Sequence, residues 1–163
     1  MTTKGASCLP LAPRDDIRVQ EVLDDQTLAD YTDLIFSYWE VPEESRELVA
    51  DVNRYWVPER TPVHRWVAYD AEDRPIGKML LSLSAPPAVA AIYGMSVRPE
   101  ARGQGIASHL TNIALHRAQA LGCARMVLHA SEMAVNVYQR AGFTEHCRLT
   151  IHGTAPLWTK RGT

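Results

Sequence analysis

The spacing of hydrophobic and polar positions changes character part-way along the chain. Up to about residue 97, short runs dominate: a weak alternation over 16–22 and clearer runs at 63–70, 75–84 and 88–97 predict strands. The polar segment Ala71-Glu72-Asp73-Arg74 turns the chain between 63–70 and 75–84, which makes them a hairpin, and Pro86-Pro87 punctuates the chain before the next strand. Two helical patterns interrupt this half. Leu28, Tyr31, Leu34, Ile35 and Tyr38 lie near helical spacing over 27–39, with Asp24 or Asp25 available as a cap. Pro42 ends that helix, and 43–55 suggests a second.

Beyond residue 97 the order becomes helix, strand, helix, strand. Ile106, Leu110, Ile113, Ala114 and Leu121 form one apolar stripe, and Gly122 stands where a helix stop is expected. A short strand over 125–130 follows. Ser131 opens a helix through Ala141, and Gly142-Phe143 reads as a Schellman-type ending. Residues 144–151 and 155–160 make a closing antiparallel pair joined near Gly153. An antiparallel front half and a β-α-β back half imply an α+β, mixed-sheet fold. Residues 1–15 read as a flexible N-terminal tail and 16–163 as a single domain, long enough to bury a sizeable core.

Composition narrows the class. No run approaches the roughly 18 apolar residues of a membrane span, and the first fifteen residues lack an apolar segment of signal-peptide length. A cytoplasmic protein with no membrane partner is expected. Cys8, Cys123 and Cys147 show no CxxC spacing and read as reduced thiols; the six histidines form no HExxH pattern, so no metal is expected. Residues 1–60 carry six Lys/Arg against thirteen Asp/Glu, a balance of −7, whereas residues 61–163 carry eleven against six, a balance of +5. Two differently solvated surfaces, or an anion-binding C-terminal half beside an acidic flank, both account for this. Neither half has the run of like charge expected of a nucleic-acid arm.

The chemistry is concentrated in Met95-Ser-Val-Arg-Pro-Glu-Ala-Arg-Gly-Gln-Gly-Ile-Ala107, a strand running through a loop into a helix. Gly103 and Gly105 permit a tight turn that exposes N–H groups at the positive end of a helix, a cradle for phosphate. A nucleotide-hydrolysing P-loop would continue Gly-Lys-Ser/Thr, but this loop continues Gly105-Ile-Ala. A dinucleotide fingerprint would need a third small residue where Ser108 stands, and an early βαβ unit.

Arg102-x-x-Gly105-x-Ala107 resembles the Arg/Gln-x-x-Gly-x-Gly/Ala signature of the GNAT superfamily of N-acyltransferases, as does the preceding Val97-x-Pro99. Ala134-x-x-x-Tyr138-x-x-x-Gly142-Phe143 matches a second motif of that family, and the order of elements agrees across residues 16–160. The resemblance implies a central mixed sheet of about six to seven strands flanked by about four helices, with a V-shaped splay between the strands at 88–97 and 125–130. It implies acetyl-CoA or another acyl-CoA as co-substrate. The pyrophosphate would rest on backbone N–H groups of Arg102, Gly103, Gln104, Gly105, Ile106 and Ala107 and of Ser108 in the next turn. Pantetheine would lie in the splay against backbone groups of Met95, Ser96 and Val97, and Gly94 is consistent either with a bulge that starts the splay or with a large neighbour. Tyr138 would protonate the departing thiolate, its hydroxyl pointing at the CoA sulfur. Ser131 stands where many members carry asparagine, and either bonds pantetheine or caps its helix. The general base stays open among Tyr93, His129, Glu40 and Glu43.

The function implied is transfer of an acetyl or other acyl group to a primary amine of a small molecule, by direct attack in a ternary complex, by a monomer or homodimer. Two alternatives stand beside it. One is a GNAT-like module that holds acyl-CoA without turnover; the other is a transferase whose donor is an acyl group on a carrier protein or tRNA.

Overall fold

One mixed sheet organises the chain, which the computed structural model describes at residues 1–4, 14–39, 41–56, 58–59, 61–84, 89–150 and 152. The strands are β1 (Thr2–Lys4), β2 (Arg18–Glu21), β3 (Val63–Tyr69), β4 (Pro75–Leu83), β5 (Val89–Val97) and β6 (Arg125–Leu128). Their spatial order is β1-β6-β5-β4-β3-β2, every neighbouring pair antiparallel except β5 and β6. The helices are α1 (Asp25–Tyr38), α2 (Arg46–Tyr55), α3 (Ile106–Ala120) and α4 (Val135–Arg140). The expected α+β fold is the one found, and the described residues form a six-stranded sheet and four α-helices, within the expected range.

Each face of the sheet is covered by apolar helix surface. On one face α3 buries Ile106, Leu110, Ala114, Leu115 and Ala118 in a cluster with Met79, Leu81, Ala90 and Ile92. On the other α1 buries Leu28, Tyr31 and Leu34 with Val67 and Tyr69. β4 is therefore covered on both sides, and Ile76–Leu81 is buried at every position. Asp24 starts α1 through a capping box: its Oδ1 accepts from Thr27 N–H at 2.8 Å, while Thr27 Oγ1 accepts from Asp24 N–H at 3.3 Å. Gly142 ends α4 as the sequence suggests: Phe143 N–H donates to the Tyr138 carbonyl at 3.0 Å and Gly142 N–H to that of Gln139.

Four expectations need correction. Residues 2–4, assigned to a loose tail, form the edge strand β1 against β6, and Leu128 N–H donates to the Met1 carbonyl at 3.0 Å. Three residues are too few to show an alternation. Residues 145–150 form no strand; Thr144 makes a single antiparallel bridge to Thr2, and the run beyond it is exposed. The proposed partner 155–160 lies outside the described residues. The helices expected at 43–55 and 131–141 each begin as a 3-10 turn, Glu43–Ser45 and Glu132–Ala134. Ser131 does not cap through its side chain, and only its carbonyl takes part, accepting from Ala134 N–H at 2.9 Å. Among the described residues no helix is long and apolar enough to cross a membrane, and no group of His, Cys, Asp and Glu is placed to hold a metal ion.

Candidate active site

β5 loses one of its neighbours half-way. Val89 to Ile92 pair in parallel with Arg125 to Leu128; there the pairing stops, while the antiparallel pairing with β4 continues to Val97. The two strands thus part beyond Ile92, which is the expected splay. The parting coincides with a bulge. Lys78 faces Ser96 and Leu80 faces Tyr93, so Gly94 and Met95 together oppose Met79. Gly94 takes a φ of +56°, which only glycine adopts at little cost, and a Cβ there would meet Lys78 Nζ at 3.3 Å.

The gap opens into a cavity of about 450 Å³. Its floor is β5 from Ile92 to Val97, and one wall is Arg102, Gly103 and Ala107 at the start of α3. His129, Ser131, Met133, Ala134, Val137 and Tyr138 form the opposite wall, and Tyr38 and Trp39 at the end of α1 close it. The loop into α3 is held open by local geometry. Gly105, the residue before α3, has a φ of +79°, and a Cβ there would also press on Arg14 Nη1 at 3.2 Å. A Cβ on Gly103 would meet nothing within 4 Å. Arg102 Nε donates to the Val97 carbonyl at 3.3 Å, tying the loop to the end of β5, and Arg14 Nη1 donates to the Gln104 carbonyl at 2.7 Å.

Tyr138 is buried, packed edge-on against Phe143 with ring centroids 5.8 Å apart. Burial, with a smaller push from Tyr38, raises its phenol to about 12. It is therefore a protonated donor across the physiological range. Ser96 is 6% exposed, and its Oγ has no hydrogen-bond partner among the described residues. An orphaned hydroxyl beside a strand edge that no described strand pairs with suits a ligand that brings its own amides.

Of the eleven residues expected to bind the co-substrate, Met95, Ser96, Val97, Arg102, Gly103, Ala107 and Ser131 line the cavity. Gln104, Gly105, Ile106 and Ser108 do not: the Gln104 carbonyl faces Arg14, Gly105 shapes the turn, Ile106 is 2% exposed in the core, and Ser108 is half-buried on the first turn of α3. Among the base candidates, Tyr93 and His129 line the cavity and both are exposed. Glu43 is paired with Arg46, and Glu40 lies outside the described residues. Two groups went unpredicted. Tyr38 and Trp39 carry the signal of adjacent aromatics at a helix end. Lys78 carries a plainer one, a cation inside the apolar run Ile76-Gly-Lys-Met-Leu-Leu81.

Comparisons with known proteins agree with this geometry. A 64-residue stretch, 37% of the chain, is 36% identical to a mycothiol acetyltransferase of Geodermatophilus obscurus, and spans about a fifth (21%) of that protein. Among solved structures, a Trypanosoma brucei acetyltransferase superposes with a TM-score of 0.70 at 22% identity, covering 85% of this chain and 99% of the other. AAC(6')-Iy, in complex with the bisubstrate analogue CoA-S-monomethyl-acetylneamine, gives 0.66 at 20% identity over 85% and 98%. At such identities the likeness is one of fold. The sequence model of the Acetyltransferase (GNAT) family matches residues 28–143, the segment that builds the sheet from β3 to β6, the glycine loop and the Tyr138 helix, and the chain belongs to that family.

Proposed function

We propose that the protein is an N-acetyltransferase that moves an acetyl or other acyl group from acyl-CoA to a primary amine of a small molecule. The observation that carries this reading is the cavity where β5 and β6 part, with the glycine loop on one wall and the protonated Tyr138 on the other. The residues present suit acyl-CoA: loop N–H groups for its pyrophosphate, and the open edge of β5 with the Ser96 hydroxyl for its pantetheine amides.

Acyl-CoA supplies an activated carbonyl carbon. The amine lone pair forms the C–N bond there, the C–S bond breaks, and its electrons leave on sulfur. The protein's part is to place the two reactants, to stabilise charge on the thioester oxygen, and to move two protons. Tyr138 donates a proton to the departing sulfur. A phenol near 12 is a weak acid for a thiol of about 8.5 in water, but the burial that raises the phenol also raises a thiol lodged beside it. The amine sheds its proton toward the exposed end of the cavity, where Tyr93 and His129 stand. The acidic balance of residues 1–60 favours a cationic acceptor. The mycothiol acetyltransferase and the CoA–neamine complex among the relatives support a small-molecule acceptor.

Release of free CoA should depend on added amine, in a screen of amines, amino acids, aminoglycosides and peptides with several acyl-CoAs. CoA binding without amine-dependent release under any acceptor would favour the non-catalytic reading instead.

A further inference from the structure

Lys78 sits in the middle of the central strand, 3% exposed, and its ammonium donates to the Gly94 carbonyl at 2.7 Å. Such a lysine normally requires a carboxylate partner. Among the described residues Lys78 makes no ion pair, and desolvation draws its pKa down to about 8. From α1 the neighbouring group is Tyr31, whose ring centroid lies 5.0 Å from Nζ, and whose phenol burial holds above its ordinary value. Asp30 of α1 is engaged with the Tyr69 hydroxyl at 2.8 Å. From β3 comes a second cation, Arg65, its guanidinium 5.4 Å from the Tyr31 ring centroid and bonded to Asn53 Oδ1 at 3.2 Å. From β5 come the Gly94 carbonyl and Ser96, paired in register with Lys78. Two buried cations share one aromatic ring beside the bulge.

The position of Lys78 decides what the bulge presents. A trans peptide is planar, with its C=O and N–H pointing in opposite directions. Holding the Gly94 carbonyl on Lys78 therefore turns the Met95 N–H away from Lys78, and Met95 lines the cavity. We propose that Lys78 is a positioning residue for acyl transfer: it clamps the Gly94–Met95 peptide so that the Met95 N–H faces the thioester oxygen, and it sets a positive charge behind that peptide. The idea rests on the acyltransfer reading. As the amine attacks, the carbonyl π electrons move onto oxygen; they return to the carbon when the C–S bond breaks. A fixed donor backed by a buried cation stabilises oxygen most when it carries that charge, so the benefit falls on turnover rather than on binding.

Burial works against stability. Between about pH 8 and the unfolded value of 10.5 the unfolded chain binds more protons at this site, so stability rises with pH across that window, and below it the whole cost is present. A lysine serving only the fold should not be placed so. Lys78→Met should lower kcat at least tenfold, leave the calorimetric Kd for CoA within threefold, and leave the melting temperature at pH 7 equal or higher. A folded variant with kcat within twofold of wild type would overturn the proposal. So would one in which only CoA affinity falls. In the wild type, without any substitution, the 15N–1H cross-peak of Met95 should titrate with a midpoint near pH 8; a cross-peak that stays fixed from pH 6.5 to 9.5 overturns it equally. If the wild type transfers to no amine, the acyltransfer reading fails by itself, and the cross-peak still decides whether Lys78 controls the peptide.

Discussion

β5 is one strand with two lives, and their contrast explains where this molecule keeps its function. From Val89 to Ile92 it has a neighbour on each edge, and Ala90 and Ile92 are buried in the larger core. From Tyr93 to Val97 it pairs, among the described residues, with β4 alone; Tyr93 is 48% exposed, Gly94 is in a left-handed conformation, and Ser96 Oγ is unsatisfied among those residues. The first stretch is what a sheet does when every backbone group has a partner. The second leaves backbone donors and acceptors open along a cavity, which is costly in a folded protein unless a ligand completes them. The two halves should therefore respond to opposite kinds of perturbation.

The largest effect is expected at Tyr138, across the gap from the open half. Tyr138→Phe should keep the fold and the CoA affinity while kcat falls about 10²-fold, toward the lower end for general acid catalysis, because a thiolate leaves tolerably even unprotonated. Single-turnover rates expose the chemical step if product release limits the wild type. A folded variant within threefold of wild type would remove the acid assignment and leave Tyr138 as packing on Phe143.

The closed half should answer in stability. Met126 of β6, opposite Ala90 and 2% exposed, anchors the paired stretch. Met126→Ala should cost about 2–5 kcal/mol by denaturant melts, with CoA affinity of the folded fraction nearly unchanged. A selective loss of CoA binding with stability intact would erase the contrast.

Gly105→Val should weaken CoA binding more than tenfold, above about 1.4 kcal/mol, measured by calorimetry. The strain of a β-branched residue at φ +79° and its contact with Arg14 both act on the loop, so the circular dichroism melt must accompany the titration. Equal affinity in a folded variant would move the pyrophosphate elsewhere. The smallest effect is electrostatic. For cationic acceptors, KM should rise a few-fold between 0.05 and 0.5 M salt, as exposed charges are screened within about 10 Å at 0.1 M. No salt effect, with neutral acceptors best, would reduce the −7 balance of residues 1–60 to solvation.

The closed and open halves also differ in how well the sequence announced them. Periodicity found α1, α3 and strands β3 to β6, because each buries apolar residues on at least one face; β2 was legible only as a weak alternation, and none of its four residues is fully buried. The turn at Gly103–Gly105 and the helix stop at Gly142 were legible because glycines stand where a positive φ is needed, whereas Tyr138 was marked only by the family motif that it resembles. β1 was missed because three residues carry no period, and its place beside β6 is set by long-range pairing with residues 125–127. The absent strand after Thr144 has a similar cause: alternation there had no described partner to pair with. Lys78 was passed over because a strand pattern reads a lone cation as an interruption. Only three dimensions show that its ammonium lies on the bulge carbonyl two residues from its register partner.

The contrast within β5 can be observed directly by titrating 15N-labelled protein with CoA and following backbone amides. The amides of Met95 and Val97 and of residues 103–107 should shift, while those of Ala90, Ala91 and Met126 stay in place. Shifts confined to the paired half, or CoA binding that leaves Met95 and Val97 unmoved, would contradict the account.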